Sequence, residues 1–185
     1  MYDLVPLLFA GRHPPDPRIK PLEIVAGPGF GEFFDGLQKA YRGWLTPKTY
    51  EIKIIEQDEE TREYDGLSVT TRKVKHIPIS RGYRMTDAQG KTAAFSGDTD
   101  TCEGMIELGR DADLMVLECA LPDDLKMDGH LSPTPAAKLA QKANCKKLCL
   151  THFYPPCDLT EFREIFSKEY TGEIFFAEDL MEFVL

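Results

Sequence analysis

From Ser96 onward, apolar runs and amphipathic runs alternate in a regular order, and this restricts the fold more than any other feature. After Ser96-Gly97-Asp98-Thr99, helical spacing over Cys102–Gly109 leads to an apolar run at Leu114–Cys119. Helical spacing over Pro133–Asn144 then precedes the run Lys147–Thr151, and a helix at Thr160–Tyr170 precedes a strand at Glu173–Phe176. Apolar strands separated by helices bury their faces best in an α/β architecture. Ser132 suits an N-cap and Pro133 a first helical position, which starts that helix beside His130.

The first half is less uniform. Tyr2–Ala10 reads as a short apolar helix, and Gly11–Pro21, which contains His13, is too rich in proline to be regular. Leu22–Ala26, the turn Gly27-Pro28-Gly29 and a helix from Phe30 to about Trp44 form a strand-turn-helix unit. Phe33, Phe34, Leu37 and Tyr41 share one helical face, and Phe30 and Trp44 are expected in the core. From Tyr50 to Phe95 the spacing becomes two, with turns at Asp65-Gly66 and Gln89-Gly90, and predicts an antiparallel meander. The acidic stretch Glu56–Glu63 reads as an exposed hairpin end. A single domain spanning 1–185 is expected from the length.

Charge restricts the partners. With 22 basic and 31 acidic residues the net charge is −9, which disfavours long nucleic acids. The short basic clusters Arg72–Lys75 and Lys142–Lys147 read as solvated faces. No apolar run is long enough for a bilayer, so no membrane partner is expected. Five cysteines without a CxxC pair suit a reducing, cytoplasmic setting, with Cys145 and Cys149 buried as small apolar residues.

Candidate chemistry lies where strands end. His152 follows Leu148-Cys149-Leu150 and Asp98 follows Thr92–Phe95, each at the rim where α/β sheets gather ligands. Both are competent metal ligands. His76, in Lys75-His76-Ile77-Pro78, reads either as a ligand or as a packed residue. His130, in Gly129-His130-Leu131-Ser132, precedes a helix N-terminus, where an anionic substrate is favoured. Glu118 reads as a loop brace rather than a proton donor, and Asp123-Asp124 as solvated loop.

The segments Lys75–Pro78 through Gly82-Tyr83-Arg84, Ser96–Thr99, Asp111–Glu118, Gly129–Ser132 and Leu150-Thr151-His152-Phe153 together resemble the metallo-β-lactamase-fold hydrolases, closest to their ribonuclease Z-like and phosphodiesterase branch. Asp3–Phe9 resembles the helix that follows that family's HxHxDH motif. The resemblance implies an αββα sandwich and a site for two divalent cations, zinc first, with manganese or iron also suited. It further implies His76 and His152 as terminal metal ligands, Asp98 as bridging ligand, and His130 as a catalytic group beside Asp98. Phosphodiester hydrolysis by a metal-activated hydroxide would follow.

HxHxDH itself is absent, and His13, in a proline-rich loop, is not expected to replace it. The resemblance therefore implies a fold truncated at its N-terminus, either because the family's first strands lie upstream of Met1 or because the chain is a natural remnant. Weak activity alone, less than one tightly held metal, and self-association covering the missing strands are expected. His76 and Asp98 are 22 residues apart, which leaves no room for the inserted arm of transfer-RNA processing members. A small phosphodiester such as a cyclic nucleotide is thus expected as substrate, with transfer-RNA 3′-processing or a non-catalytic binding module as alternatives.

Overall fold

The computed structural model describes residues 3–12 and 17–185, in two compact units, Met1–Gln57 and Asp58–Leu185. Among the described residues no helix is long and apolar enough to cross a membrane.

The first unit contains α1 (Leu4–Ala10), β1 (Leu22–Ala26), α2 (Phe30–Ala40) and β2 (Ile52–Glu56). β1 and β2 pair in parallel, with Leu22 opposite Ile52 and Ala26 opposite Glu56. This corrects the expected meander, because residues 50–56 do not pair with the antiparallel strands that follow. A helical crossover between two runs of apolar spacing permits parallel pairing, and period two alone does not report direction. Leu8, Phe34 and Leu45 form the small core of this unit. Two further expectations fail here. The helix stops at Ala40, and Trp44 is 63% exposed. Arg42 and Gly43 both have positive φ, and this kink brings Leu45 rather than Trp44 inward. Phe33 is also exposed, so the apolar face of α2 is narrower than its aromatic residues suggest.

The second unit is built on a seven-stranded sheet ordered β3 (Thr61–Tyr64), β4 (Leu67–Lys73), β5 (Arg81–Thr86), β6 (Thr92–Phe95), β7 (Leu114–Glu118), β8 (Lys147–Thr151) and β9 (Glu173–Phe176). β3 through β6 pair antiparallel, and β6 through β9 pair parallel. The helices α3 (Glu103–Gly109), α4 (Pro133–Ala143) and α5 (Leu159–Glu169) supply the parallel connections, as the alternation predicts. α4 packs against both α3 and α5, and its Ala136, Ala137, Leu139 and Ala140 are buried. Leu117, Leu148, Leu150, Phe162 and Phe166 are fully buried beside them. Burial of each such large side chain contributes roughly 1.5–3 kcal/mol.

Local chemistry sets the boundaries. Ser132 stands at the N-cap of α4 with Pro133 next, although its hydroxyl makes no capping bond. Asp158 caps α5 by accepting from the backbone N–H groups of Thr160 and Glu161. Gly104 lies in the first turn of α3, where a Cβ would collide with the Lys73 carbonyl, so glycine lets this helix approach the end of β4.

Glu56–Glu63 is not a hairpin end, because β2 and β3 belong to different sheets. Asp58 pairs with the buried Arg81 at 2.7 Å, and Glu59 accepts from Lys73. These carboxylates fasten the sheet rather than only facing solvent.

Candidate metal centre

All four candidate residues outside the Gly11–Pro21 loop meet at one edge of the seven-stranded sheet. β4 and β6 both run antiparallel to β5, so β4 points the same way as the parallel strands β6, β7 and β8. The loops after these strands therefore share an edge, where ligands collect in open α/β sheets. His76 follows β4, Asp98 follows β6, Glu118 ends β7 and His152 follows β8. His130 enters from the loop before α4. His13 lies outside the described residues.

Two histidines converge on one carboxylate. His76 Nε2 lies 3.9 Å from Asp98 Oδ2, and His152 Nε2 lies 3.6 Å from Asp98 Oδ1. The His76 and His130 rings sit 4.9 Å apart edge to face, and those of His130 and His152 stack at 5.5 Å. Ligand atoms of His76, Asp98 and His130 all lie within 4.8 Å of one another.

Neighbouring groups fix the ring orientations. His76 Nδ1 lies 3.1 Å from the Gly129 carbonyl, which can only accept, so Nδ1–H donates and the ring is turned with Nε2 toward Asp98. Gly129 has φ of 84°, and a Cβ there would come within 2.9 Å of the same Nδ1. His130 Nδ1–H donates to Glu118 Oε1 at 2.8 Å. Glu118 also accepts from Thr99 N at 2.9 Å and Leu131 N at 3.1 Å. Burial pushes the Glu118 carboxyl above the usual range, even though these donors pull it back down. Ala120 joins two further loops, donating its N–H to Leu131 and accepting from Tyr154. Cys119, next in line, is fully buried, and burial pushes its thiol up, which leaves it a packing residue rather than a nucleophile.

The residues present fit a divalent cation. His152 Nε2 is shielded from solvent and makes no hydrogen bond, although it faces Asp98 Oδ1 at 3.6 Å. His152 also holds φ of 66°, a left-handed conformation that a non-glycine residue keeps only where surrounding structure imposes it. Two imidazoles and a carboxylate are the donor types that bind zinc, manganese or iron.

Two groups were not singled out as site residues from sequence. Glu118 was read as a brace and is one, but it braces His130 as well as the backbone. Tyr154 places its ring 5.2 Å from that of His152 and 6.2 Å from that of His130. A carboxylate closing an otherwise apolar strand was the available signal for Glu118; Tyr154 had none.

With that geometry in view, comparison with known proteins is decisive for the family: residues 33–153 match the beta-lactamase superfamily domain. The chain belongs to this superfamily. Its fold is the metallo-β-lactamase fold, of ribonuclease Z-like type. The metallo-beta-lactamase fold protein YhfI from Bacillus subtilis matches over 96% of this chain and 69% of its own, with a TM-score of 0.76 and 24% identity. An uncharacterized protein of Mycobacterium tuberculosis is 37% identical over 53% of this chain and 37% of its own length. A ribonuclease Z of Salinispora arenicola is 34% identical over 59% and 38% respectively. The chain thus spans little more than a third of the length of these two curated relatives.

Proposed function

We propose that this chain is a metal-dependent hydrolase of phosphodiesters in which His76, Asp98 and His152 hold divalent cations and His130 assists the chemistry. The observation that carries the reading is the approach of His76 Nε2 and His152 Nε2 to opposite oxygens of Asp98. Divalent cations there would activate water and offset negative charge on an attacked phosphoryl group. Glu118 holds the His130 ring, leaving Nε2 to protonate a departing oxygen or stabilise charge beside it.

A small phosphodiester is the substrate class favoured. The interval from His76 to Asp98 contains only a loop, β5, a tight turn closed by Asp87 and Lys91, and β6, so no extended arm for gripping RNA arises there. The net charge of −9 points the same way. Self-association belongs to this reading, because among the described residues β3 and β9 each have a strand neighbour on one side only. A clean monomer by light scattering at high concentration would remove that part.

The test is hydrolysis of bis-p-nitrophenyl phosphate with zinc or manganese, by this chain and by a form extended upstream of Met1. Metal-dependent turnover that disappears in Asp98→Ala supports the enzyme, and its absence in both forms favours a binding module. A transfer-RNA precursor cleaved in preference to the small ester would return the reading to RNA processing. Elemental analysis of this chain after dialysis should give less than one metal; two per chain would refute the partial site.

A further inference from the structure

Asp100 lies two residues beyond Asp98 and is nearly buried, with a side chain 7% exposed. Its contacts reach both loops that carry the histidines nearest each other. Asp100 N–H donates to the Lys75 carbonyl at 2.7 Å, one residue from His76. Its Oδ2 accepts from Lys75 Nζ at 3.3 Å and from Lys126 Nζ at 3.0 Å, while Oδ1 accepts from Thr101 N at 2.7 Å. Lys126 stands four residues before His130 and also donates to the Met127 carbonyl. Thr99 adds a strut, since Lys75 N–H donates to its hydroxyl at 3.2 Å.

The contact that orients His76, from its Nδ1 to the Gly129 carbonyl, runs between these same two loops. The His130 loop is held besides by Glu118, which accepts from His130 Nδ1 and Leu131 N, by Asp123 to Thr134 at its helical end, and by Lys126 to Asp100 at its free end.

We propose that Asp100 is a positioning residue for the metal centre, a buried anion whose bonds to Lys75 and Lys126 hold the His76 and His130 loops together. The proposal rests on the reading of the site given above, but its core is a statement about two loops. The arms are unequal. Lys75 is 63% exposed and its ion pair is weak, whereas Lys126 is 31% exposed and carries more of the coupling. Partners that orient metal ligands typically alter metal affinity by about 10–100-fold.

The test uses the full chain and two readouts. In the metal-free protein, long-range proton–nitrogen spectra of the histidine rings should show His76 protonated at Nδ1. In Asp100→Asn, and more weakly in Lys126→Met, the His76 and His130 ring signals should shift or broaden while methyl signals of the core residues Leu148 and Leu150 stay in place. Unchanged ring signals in both variants would overturn the proposal, and so would core shifts as large as those at the rings.

In competition titrations with zinc, Asp100→Asn should bind about tenfold more weakly or worse, and Lys75→Met should differ by less than about twofold. Asp100→Asn/Lys126→Met should bind no more weakly than Asp100→Asn alone, because both substitutions cut one strut. Additive losses would show that the two residues act separately and would overturn the proposal. Should the unaltered chain bind no zinc, the reading of the site fails, and the ring spectra still decide whether Asp100 couples the loops.

Discussion

The strands β6, β7 and β8 present two edges that differ in how completely their polar groups are satisfied. At the N-terminal ends, Asp113 accepts from Thr92 N and Oγ1 with one oxygen and from Lys146 Nζ with the other, and Asn144 donates to Asp111. Asp111 and Asn144 both hold positive φ, a conformation these residue types tolerate. At the C-terminal ends the same strands deliver Asp98, Glu118 and His152. There a histidine takes the positive φ and keeps a buried nitrogen without a hydrogen bond. One edge is closed on itself and the other is poised for something to be bound. Strain and a nitrogen without a hydrogen bond persist at the second because the packed strands beneath hold it in place.

A double dissociation tests this contrast most severely. Asp98→Ala should abolish measurable zinc binding in competition titrations while changing unfolding free energy by no more than about 0.5 kcal/mol, since few partners depend on that side chain. Asp113→Ala should do the reverse, costing about 1–3 kcal/mol in urea melts through the stranded Thr92 donor and leaving zinc affinity unchanged. If Asp98→Ala destabilised as much as Asp113→Ala, the two edges would not be different in kind.

Glu118 lies between the two behaviours and should sharpen the comparison. Glu118→Ala leaves the buried donors of Thr99 and Leu131 without an acceptor and releases His130. A loss of about 2 kcal/mol or more is expected, together with weakened chemistry. Glu118→Gln retains acceptor oxygen for only part of the set and should fall between. Wild-type stability in both variants would mean that the carboxylate is no brace.

Most of the second unit was legible from sequence, because alternating apolar strands and helices leave few ways to bury both. The meeting of the candidate residues at one edge is legible for a related reason: Asp98 lies in the loop after β6 and His152 immediately after β8, and such positions project to one edge once the strands are parallel. What the sequence hid was pairing direction and side-chain partnership. Ile52 and Ile54 show period two whether their neighbour runs with them or against them, so spacing alone does not separate β2, which pairs with β1, from the antiparallel strands. Hydrophobic spacing points Trp44 inward because it does not register the backbone turning at Arg42 and Gly43. The convergence of Lys75 and Lys126 on Asp100 joins segments 51 residues apart in the chain, and no local pattern marks it.

Acid should loosen the closed edge through Asp113. The Lys146 ammonium and the Thr92 N–H hold the Asp113 carboxyl at about 2, below its ordinary value of 3.8. A carboxyl whose pKa is lowered by folding contributes stability above its unfolded pKa and loses it as pH falls toward the folded one. The contribution of Asp113 should therefore be intact at neutral pH and fade between about pH 4 and pH 2. Urea midpoints measured across that range should fall less steeply in Asp113→Asn than in the unaltered chain, and parallel curves would assign the acid sensitivity to other groups.

The smallest effect should come from the open edge. Removing the side chain at His152 relieves a left-handed conformation that costs roughly 1–2 kcal/mol for a residue with a Cβ, while glycine adds freedom to the unfolded chain worth about 0.4–1 kcal/mol. His152→Gly should accordingly leave stability unchanged or raise it by up to about 1 kcal/mol, at the expense of metal binding. His152→Ala, which loses the same ligand but keeps the Cβ, should be the less stable of the pair. Were alanine as stable as glycine there, the backbone at His152 would carry no strain, and the orphaned Nε2 alone would distinguish this edge from the other.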